Sequence, residues 1–140
     1  YLKDHPETNF FHFNVDLAQG PCVIKRLRGC GAGCEYVAIT PEGDIYPCHQ
    51  FVGNEDYRLG SVHDGTFDKE LSGRFAGLNI YTREECRDCW ARFYCSGGCS
   101  ASNLLVNGDI KKPHRVGCEL ERKRLECAIA LRAIAAGMAD

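Results

Sequence analysis

The thiols are the most informative chemical feature of this chain, because their spacing brings several of them to one point. Ten of the 140 residues are cysteine. Four of them follow the pattern Cys-x2-Cys-x5-Cys-x3-Cys, which starts at Cys86 and ends at Cys99, and another follows at Cys118. Short spacings of this kind direct two sulfurs to one metal centre, and four thiolates can hold either zinc or an iron–sulfur cluster.

Three further cysteines lie upstream and bring the number of candidate ligands to eight. The close-spaced group alone could serve one site, but Cys118 would then be left over. An interleaved arrangement uses all eight thiols in two sites of four. One site would take Cys86, Cys89, Cys95 and Cys118, and the other would take Cys30, Cys34, Cys48 and Cys99.

The pairing of the thiols favours metal ligands over disulfides. Secreted disulfide domains scatter their cysteines, whereas these are paired at short spacing in a chain that opens without a basic-then-apolar signal region. We therefore expect a reducing, cytoplasmic environment. Because the chain opens at Tyr1 without a methionine, we also expect it to be a piece of a longer protein.

Composition and charge restrict the class of protein. The apolar content of 44% supports a modest core, and the length suits one domain or one domain with a fragment. A formal net charge of -2 argues against a nucleic-acid partner, which a basic surface would indicate. No apolar run approaches the roughly 20 residues of a membrane span, so we expect no membrane partner.

The elements around the upstream thiols predict a small α+β fold. The glycines of the loop 29–34 let the backbone fold closely around a ligand. Residues 35–48 predict a β-hairpin with its turn at 41–44, where Pro41 and Gly43 suit the turn geometry. This hairpin would return Cys48 towards the glycine loop.

Other segments predict further short elements. Alternating apolar residues over 10–17 predict a half-buried strand, and 58–62 predict a short strand. A short helix is expected over 68–75. The Thr82-x-x-Glu85 pattern predicts a capped helical turn that carries Cys86 and Cys89. The last helix is expected over 119–140. Its predicted apolar stripe consists of Leu120, Cys127, Leu131, Ile134 and Met138.

The full cysteine pattern resembles a known family. Gly43-x4-Cys48, the close-spaced group and the final Cys118 are similar to the SPASM domain, the C-terminal extension of radical SAM enzymes that mature peptides and proteins. The stretch 35–51 is most similar to the SCIFF type, which forms Cys thioether bridges in ribosomal peptides (sactionine and ranthipeptide maturases). The resemblance divides the chain into the tail of a preceding radical SAM core (1–20), the auxiliary-cluster domain (21–118) and a C-terminal helix (119–140).

The resemblance implies two [4Fe–4S] clusters, carried by β-hairpins and short helices. Cluster I would be held by Cys30, Cys34, Cys48 and Cys99, and cluster II by Cys86, Cys89, Cys95 and Cys118. The chain departs from the family at Cys34, which lies slightly too close to the hairpin glycine. Either Cys30 or Cys34 could therefore be a non-ligand, with Cys22 in reserve, and cluster I could keep an iron open for a substrate thiolate.

The implied function is electron transfer and positioning of a Cys-containing precursor peptide. The SAM-binding signature Cys-x3-Cys-x2-Cys is absent from the sequence. We expect S-adenosylmethionine to bind only in a preceding radical SAM barrel, which would be a partner of this domain, and we expect this chain to be inactive alone.

Alternative functions use the same thiols. A structural zinc module would bind protein partners without redox chemistry, and an isolated fragment could take up zinc or single iron in place of clusters. A maturase of the anaerobic sulfatase type is a further alternative. An electron carrier of the ferredoxin type is disfavoured, because its x2, x2 and x3 spacings are not found here.

Some remaining residues have structural interpretations. Cys127 is expected to be a buried structural thiol, and His49 a loop residue. The aromatic residues near the predicted ligands are expected to shield the clusters from solvent. They are Tyr46, Phe51, Trp90, Phe93 and Tyr94.

Overall fold

The described part of this computed structural model contains four short strands and five α-helices. The structure describes residues 5, 8, 10–17 and 23–137. The antiparallel sheet has the order β1-β2-β3-β4. Its strands are β1 Ala38–Ile39, β2 Asp44–Tyr46, β3 Gly60–Ser61 and β4 Thr66–Phe67. The helices are α1 Val23–Arg28, α2 Lys69–Ala76, α3 Arg92–Cys95, α4 Ser100–Asn107 and α5 Arg115–Ala135.

The predicted hairpin is confirmed as β1 and β2, with Ala38 opposite Tyr46. The turn closes where the Gly43 N–H donates to the Thr40 carbonyl at 2.9 Å, and Gly43 has a φ of +86° that a residue with a Cβ rarely adopts. The short strand predicted over 58–62 is confirmed as β3. The helix predicted over 68–75 is confirmed as α2, and the Asp68 carboxylate caps it by accepting from the Leu71 N–H.

The strand predicted over 10–17 is wrong. Alternating side chains make a strand only where a neighbouring strand accepts its backbone hydrogen bonds. Here the segment 11–13 forms a single 3-10 turn, in which the Phe13 N–H donates to the Phe10 carbonyl at 2.9 Å. The Phe10 and Phe13 rings pack edge to face with their centroids 4.8 Å apart. This turn packs against α5.

The capping box predicted at Thr82 is also wrong. The Thr82 hydroxyl accepts from the Asn79 N–H at 2.9 Å and donates to the Gly77 carbonyl at 3.0 Å, so it closes the preceding turn instead. The helical turn that follows is a short 3-10 turn over Glu84–Cys86, and Cys89 lies beyond it.

The last helix begins earlier than predicted, and a different face of it is buried. It starts at Arg115, so that Cys118 lies in its first turn. Leu120 is 67% exposed, whereas Leu125 and Ala128 are the buried residues of the helix. Met138 lies outside the described residues. The apolar stripe was assigned from spacing, but the direction from which the domain contacts the helix selects the buried face.

The core lies between the sheet and α2. Phe51 and Phe75 form an edge-to-face pair with centroids 5.4 Å apart, and Tyr57 packs against both. The cluster also includes Ala32, Ile45, Tyr46, Cys48, Leu59, Leu71, Leu78, Ala101 and Ile110. Because Ala32 and Cys48 belong to this core, the fold itself fixes the loop and the hairpin end that carry the upstream thiols.

Candidate metal centre

Four of the predicted ligands surround one cavity. Its volume is about 410 Å³, and the four thiols line it together with charged side chains. The thiols are those of Cys86, Cys89, Cys95 and Cys118. Three separate segments supply them, namely the Glu84–Cys86 turn and its continuation, the last residue of α3, and the first turn of α5. The structure thus brings together the four residues expected to form one site.

Local backbone geometry directs these thiols to the cavity. The Cys86 N–H donates to the Arg83 carbonyl at 3.0 Å, and the Cys89 N–H donates to the Cys86 carbonyl at 3.2 Å. Two tight turns in succession therefore place both sulfurs on one side. After Cys95, the residues Gly97 and Gly98 take left-handed conformations with φ of +90° and +72°.

The glycine turn also supports the Cys95 thiol electrostatically. Burial raises the pKa of Cys95, and the N–H groups of Gly97 and Gly98 oppose that rise by hydrogen bonding to the sulfur. Backbone N–H groups aimed at a sulfur stabilise its thiolate form and tune a metal bound to it. The turn therefore provides donors that suit an anionic sulfur.

Burial favours the protonated form of three thiols of the cavity, those of Cys86, Cys95 and Cys118, because it raises their pKa. Burial raises the pKa of Cys86 to about 11, against the opposing effect of Arg83, and the neighbouring Cys118, Cys95 and Cys89 raise it further. Burial likewise raises the pKa of Cys118, which Arg122 partly offsets. Because metals bind the thiolate, occupation of the cavity by a metal displaces these protons.

The side chains that line the cavity supply the donors of a metal centre. Four of them are the thiols of Cys86, Cys89, Cys95 and Cys118, around a space of about 410 Å³. Among the described residues, no three Cys, His, Asp or Glu side chains form a ready-made group for one metal ion. Four thiolates are the donor set of an iron–sulfur cluster and also of a structural zinc ion.

A second set of thiols meets at Tyr36. The pKa of Tyr36 is raised to about 12, and the largest cause is burial. Cys30, whose thiol lies within hydrogen-bonding reach of the Tyr36 hydroxyl, is the next cause, followed by Cys48 and Cys99. The pKa of Cys48 is raised by burial, and the charges of Cys99 and Cys30 add to the effect. The structure therefore brings Cys30, Cys48 and Cys99 into one neighbourhood.

The hairpin and the glycine loop build this second neighbourhood as predicted. The Gly33 N–H donates to the carbonyls of Tyr36 and Pro47, both at 2.9 Å, which ties the loop to the end of the hairpin. Gly33 has a φ of +77°, and an added Cβ would lie 2.9 Å from the Phe75 ring. Only glycine allows the loop to lie this close to the core.

Cys34 lies beside Cys30, and both line a small space of about 10 Å³. Both residues are exposed, and the Cys34 thiol donates to the Gly31 carbonyl at 3.5 Å. Cys34 is thus hydrogen-bonded to the loop backbone next to the thiols that meet at Tyr36.

The remaining predictions near the thiols have mixed outcomes. Tyr46 and Phe51 are each 2% exposed and shield Cys48 from solvent as expected. Trp90, in contrast, is 50% exposed and does not form a hydrophobic shell. Cys127 is only partly buried, and His49 is an exposed residue as predicted. Cys22 lies outside the described residues.

The sequence analysis missed Arg83. This side chain is 4% exposed, and its guanidinium donates to the Ile110 carbonyl at 2.6 Å and to the Ser100 hydroxyl at 3.0 Å. It thereby joins the turn before Cys86 to the start of α4 and to the loop before α5. Only its position three residues before Cys86 could have drawn attention to it.

Within the described part of the chain, none of the helices combines the length and hydropathy that a membrane crossing requires.

Comparison with known proteins gives a family match over the upstream thiols and the first pair of the close-spaced group. Residues 30–90 match the SPASM family, described as an iron–sulfur cluster-binding domain. The match ends before Cys95, Cys99 and Cys118, so the cavity includes thiols both inside and outside the matched residues.

Several curated relatives are maturation enzymes by name. The chain is 31% identical over 111 residues to the mycofactocin maturase MftC of Mycobacterium ulcerans, covering 75% of this chain and 29% of that protein. It is 28% identical over 102 residues to the PqqA peptide cyclase of Xanthomonas axonopodis pv. citri, covering 68% and 27%. It is 28% identical over 85 residues to the serine-type anaerobic sulfatase-maturating enzyme of Klebsiella aerogenes, covering 59% and 20%. The chain therefore spans about a quarter of the length of these relatives.

Proposed function

We propose, on the premise that residues 30–90 belong to the SPASM family of iron–sulfur cluster-binding domains, that this chain is the auxiliary-cluster domain of a radical SAM enzyme that modifies a peptide. The observation that carries the proposal is the cavity of about 410 Å³, which is lined by four thiols from three segments. The names of the relatives support a role in peptide or protein maturation.

The proposed ligands of one [4Fe–4S] cluster are Cys86, Cys89, Cys95 and Cys118. When bound, such a cluster supplies one-electron chemistry whose potential depends on hydrogen bonds to sulfur and on solvent exposure. The chain's own contribution is to hold the four sulfurs around a partly closed space and to aim the Gly97 and Gly98 N–H groups at Cys95. The lining also includes four basic side chains and two acidic ones, namely Arg92, Lys112, Arg115, Arg122, Glu85 and Glu121.

The proposed ligands of a second cluster are Cys30, Cys48 and Cys99, with Cys34 as the fourth candidate. The Cys34 thiol is hydrogen-bonded to the Gly31 carbonyl, whereas the thiols that act on Tyr36 are those of Cys30, Cys48 and Cys99; this supports a site with one open position, which a substrate thiolate could fill. Tyr36 is 48% exposed beside this site, so a peptide approaching from solvent would meet its ring. This arrangement would position a Cys-containing peptide for thioether formation of the SCIFF type.

A maturase that acts on a sulfatase is the second candidate function, because one relative carries that name. Such an enzyme would use the same two clusters. The whole enzyme would also include a radical SAM barrel that binds S-adenosylmethionine, and this domain alone would not catalyse the reaction.

The test of the proposed function is the content of iron, zinc and acid-labile sulfide in anaerobically purified protein, together with its visible spectrum. About eight iron and eight sulfide per chain are expected for two cubane clusters. About two zinc ions without sulfide would contradict the proposal and favour a structural module.

The open position is tested by adding a Cys-containing peptide to the reconstituted chain and recording cluster spectra by electron paramagnetic resonance. The matched control is the same peptide with Ser in place of Cys. We expect the thiol peptide alone to perturb the spectrum of the cluster at Cys30, Cys48 and Cys99. An unchanged spectrum with both peptides would refute the open position.

A further inference from the structure

Arg83 is a buried cation whose hydrogen-bond partners are all neutral. Arg83 is 4% exposed as a residue. Its guanidinium donates to the carbonyls of Ile110 and Lys111 at 2.6 and 3.1 Å and to the Ser100 hydroxyl at 3.0 Å. On the side of Nε it lies against Gly97, where an added Cβ would be 3.0 Å away. These contacts fix the guanidinium but leave its charge unbalanced.

A guanidinium remains charged at neutral pH even when burial opposes the charge. The ion pairs formed within the described residues involve other arginines and one lysine, and none includes Arg83. A buried charge without an opposite charge nearby is strongly unfavourable. The native protein must therefore place negative charge close to Arg83.

The available negative groups are mostly the candidate ligands. Burial lowers the pKa of Arg83, and Cys86, Asp109, Cys30 and Cys95 act in the opposite direction, in that order. Cys86 and Cys95 line the cavity, whereas Cys30 belongs to the set around Tyr36. Cys30 also lines a small space together with Ser100, the residue to which Arg83 donates. Asp109 is exposed, so water and salt weaken the effect of its carboxylate without removing it.

We propose that Arg83 is a buried countercharge shared by both thiol sites, and that it raises the reduction potentials of the clusters that they hold. This inference rests on the proposed function. One-electron reduction adds a negative charge to a cluster, and a fixed positive charge nearby favours that reduced state. Arg83 thus acts as a positioning residue that couples the two sites through its charge.

The test compares four forms of the full 140-residue chain reconstituted with iron and sulfide: wild type, Arg83→Gln, Arg83→Lys and Arg87→Gln. Potentials of both clusters are measured by titration followed by electron paramagnetic resonance. Arg87 is the matched control, because it is exposed and next to Cys86, and its side chain donates to the Tyr81 carbonyl at 2.7 Å. Stability in urea is recorded for each form.

We expect Arg83→Gln to shift the potentials of both clusters in the negative direction, by more than Arg87→Gln does. Arg83→Lys should leave the potentials close to those of the wild type, because it keeps the charge while losing the forked hydrogen bonds. Equal loss of stability in both Arg83 variants with unchanged potentials would show a merely structural role and overturn the inference. A shift in only one cluster would overturn the claim that the charge is shared.

A second variant guards against failure of Arg83→Gln to fold. Asp109→Asn removes the exposed carboxylate whose charge acts on Arg83. It keeps a side-chain oxygen that can accept the hydrogen bond from the Lys111 N–H, which is 2.8 Å long in the wild type. At low ionic strength this variant should shift both potentials in the positive direction, and no shift would count against the inference. If the wild type itself contains no iron and sulfide, the proposed function fails. If it contains both and the Arg83 variants have the same potentials as the wild type, only this inference fails.

Discussion

At Gly97 a single added methyl group should cost stability in two ways, through backbone strain and through contact with the Arg83 side chain. Its φ of +90° lies in the region that residues with a Cβ rarely adopt. An added Cβ would also lie 3.0 Å from Nε and 3.1 Å from Cδ of Arg83. Arg83 cannot move aside freely, because three hydrogen bonds hold its guanidinium.

The expected cost of Gly97→Ala has two parts. A left-handed conformation costs about 1–2 kcal/mol for a residue with a Cβ. Displacing Arg83 would break at least one hydrogen bond of a charged group, worth about 1.5–3 kcal/mol. The free energy of unfolding should therefore fall by about 2.5–5 kcal/mol. The Cys95 thiol should also lose the correct alignment of its N–H donors.

Gly98→Ala is the matched control. Gly98 also has a left-handed φ, of +72°, but an added Cβ there meets no atom within 4 Å. Only the backbone part should apply, so the free energy of unfolding should fall by about 1–2 kcal/mol. Both variants change one glycine of the same turn by the same methyl group.

The assay is urea unfolding of the reconstituted chain under anaerobic conditions, followed by far-ultraviolet circular dichroism. With a slope of about 2 kcal/mol per molar urea, Gly97→Ala should unfold at a midpoint about 1 M below that of Gly98→Ala. Equal midpoints would refute the reasoning, because they would mean that Arg83 yields to the methyl group at no cost.

Further predictions concern the thiols and the core. Cys86→Ser should lose about half of the iron and sulfide, because one of the two proposed clusters would lose a ligand, whereas Cys127→Ser should keep the full content; equal losses in metal analysis would contradict the ligand assignment. Cys34→Ala should keep both proposed clusters, since the Cys34 thiol is hydrogen-bonded to the Gly31 carbonyl; loss of half the iron would make it an obligatory ligand. Phe75→Ala should lower the free energy of unfolding by about 3–5 kcal/mol in urea, because the ring packs on Phe51 in the core; a change below about 1 kcal/mol would refute that packing.

Local chemistry explains why the hairpin could be predicted from sequence. Pro41 and Gly43 specify the turn through their own backbone preferences, and the strands on either side follow from it. The grouping of Cys86 with Cys89 and Cys95 could also be predicted, because short spacing limits how far apart these thiols can lie. In both cases the information lies within a few residues.

The failures share a dependence on distant residues. Arg83 binds the carbonyl of Ile110, 27 positions away, and no local pattern announces that contact. The alternation over 10–17 has no partner strand among the described residues, so it does not make a strand. In α5 the apolar spacing is real, but the body of the domain contacts the face of Leu125 rather than that of Leu120.

The place of Cys118 in the first turn of α5 has a consequence for the order of the whole helix. No side chain caps the helix at His114, and its first turn contains no acidic residue to balance the positive end of the helix macrodipole. The thiolates of Cys118 and of the other cavity cysteines would supply that negative charge. Their interaction with the helix end would stabilise α5 by about 0.3–1 kcal/mol. Amide hydrogen exchange in the first turn of α5 should therefore slow when metal enters, so that the helix reports the occupancy of the cavity.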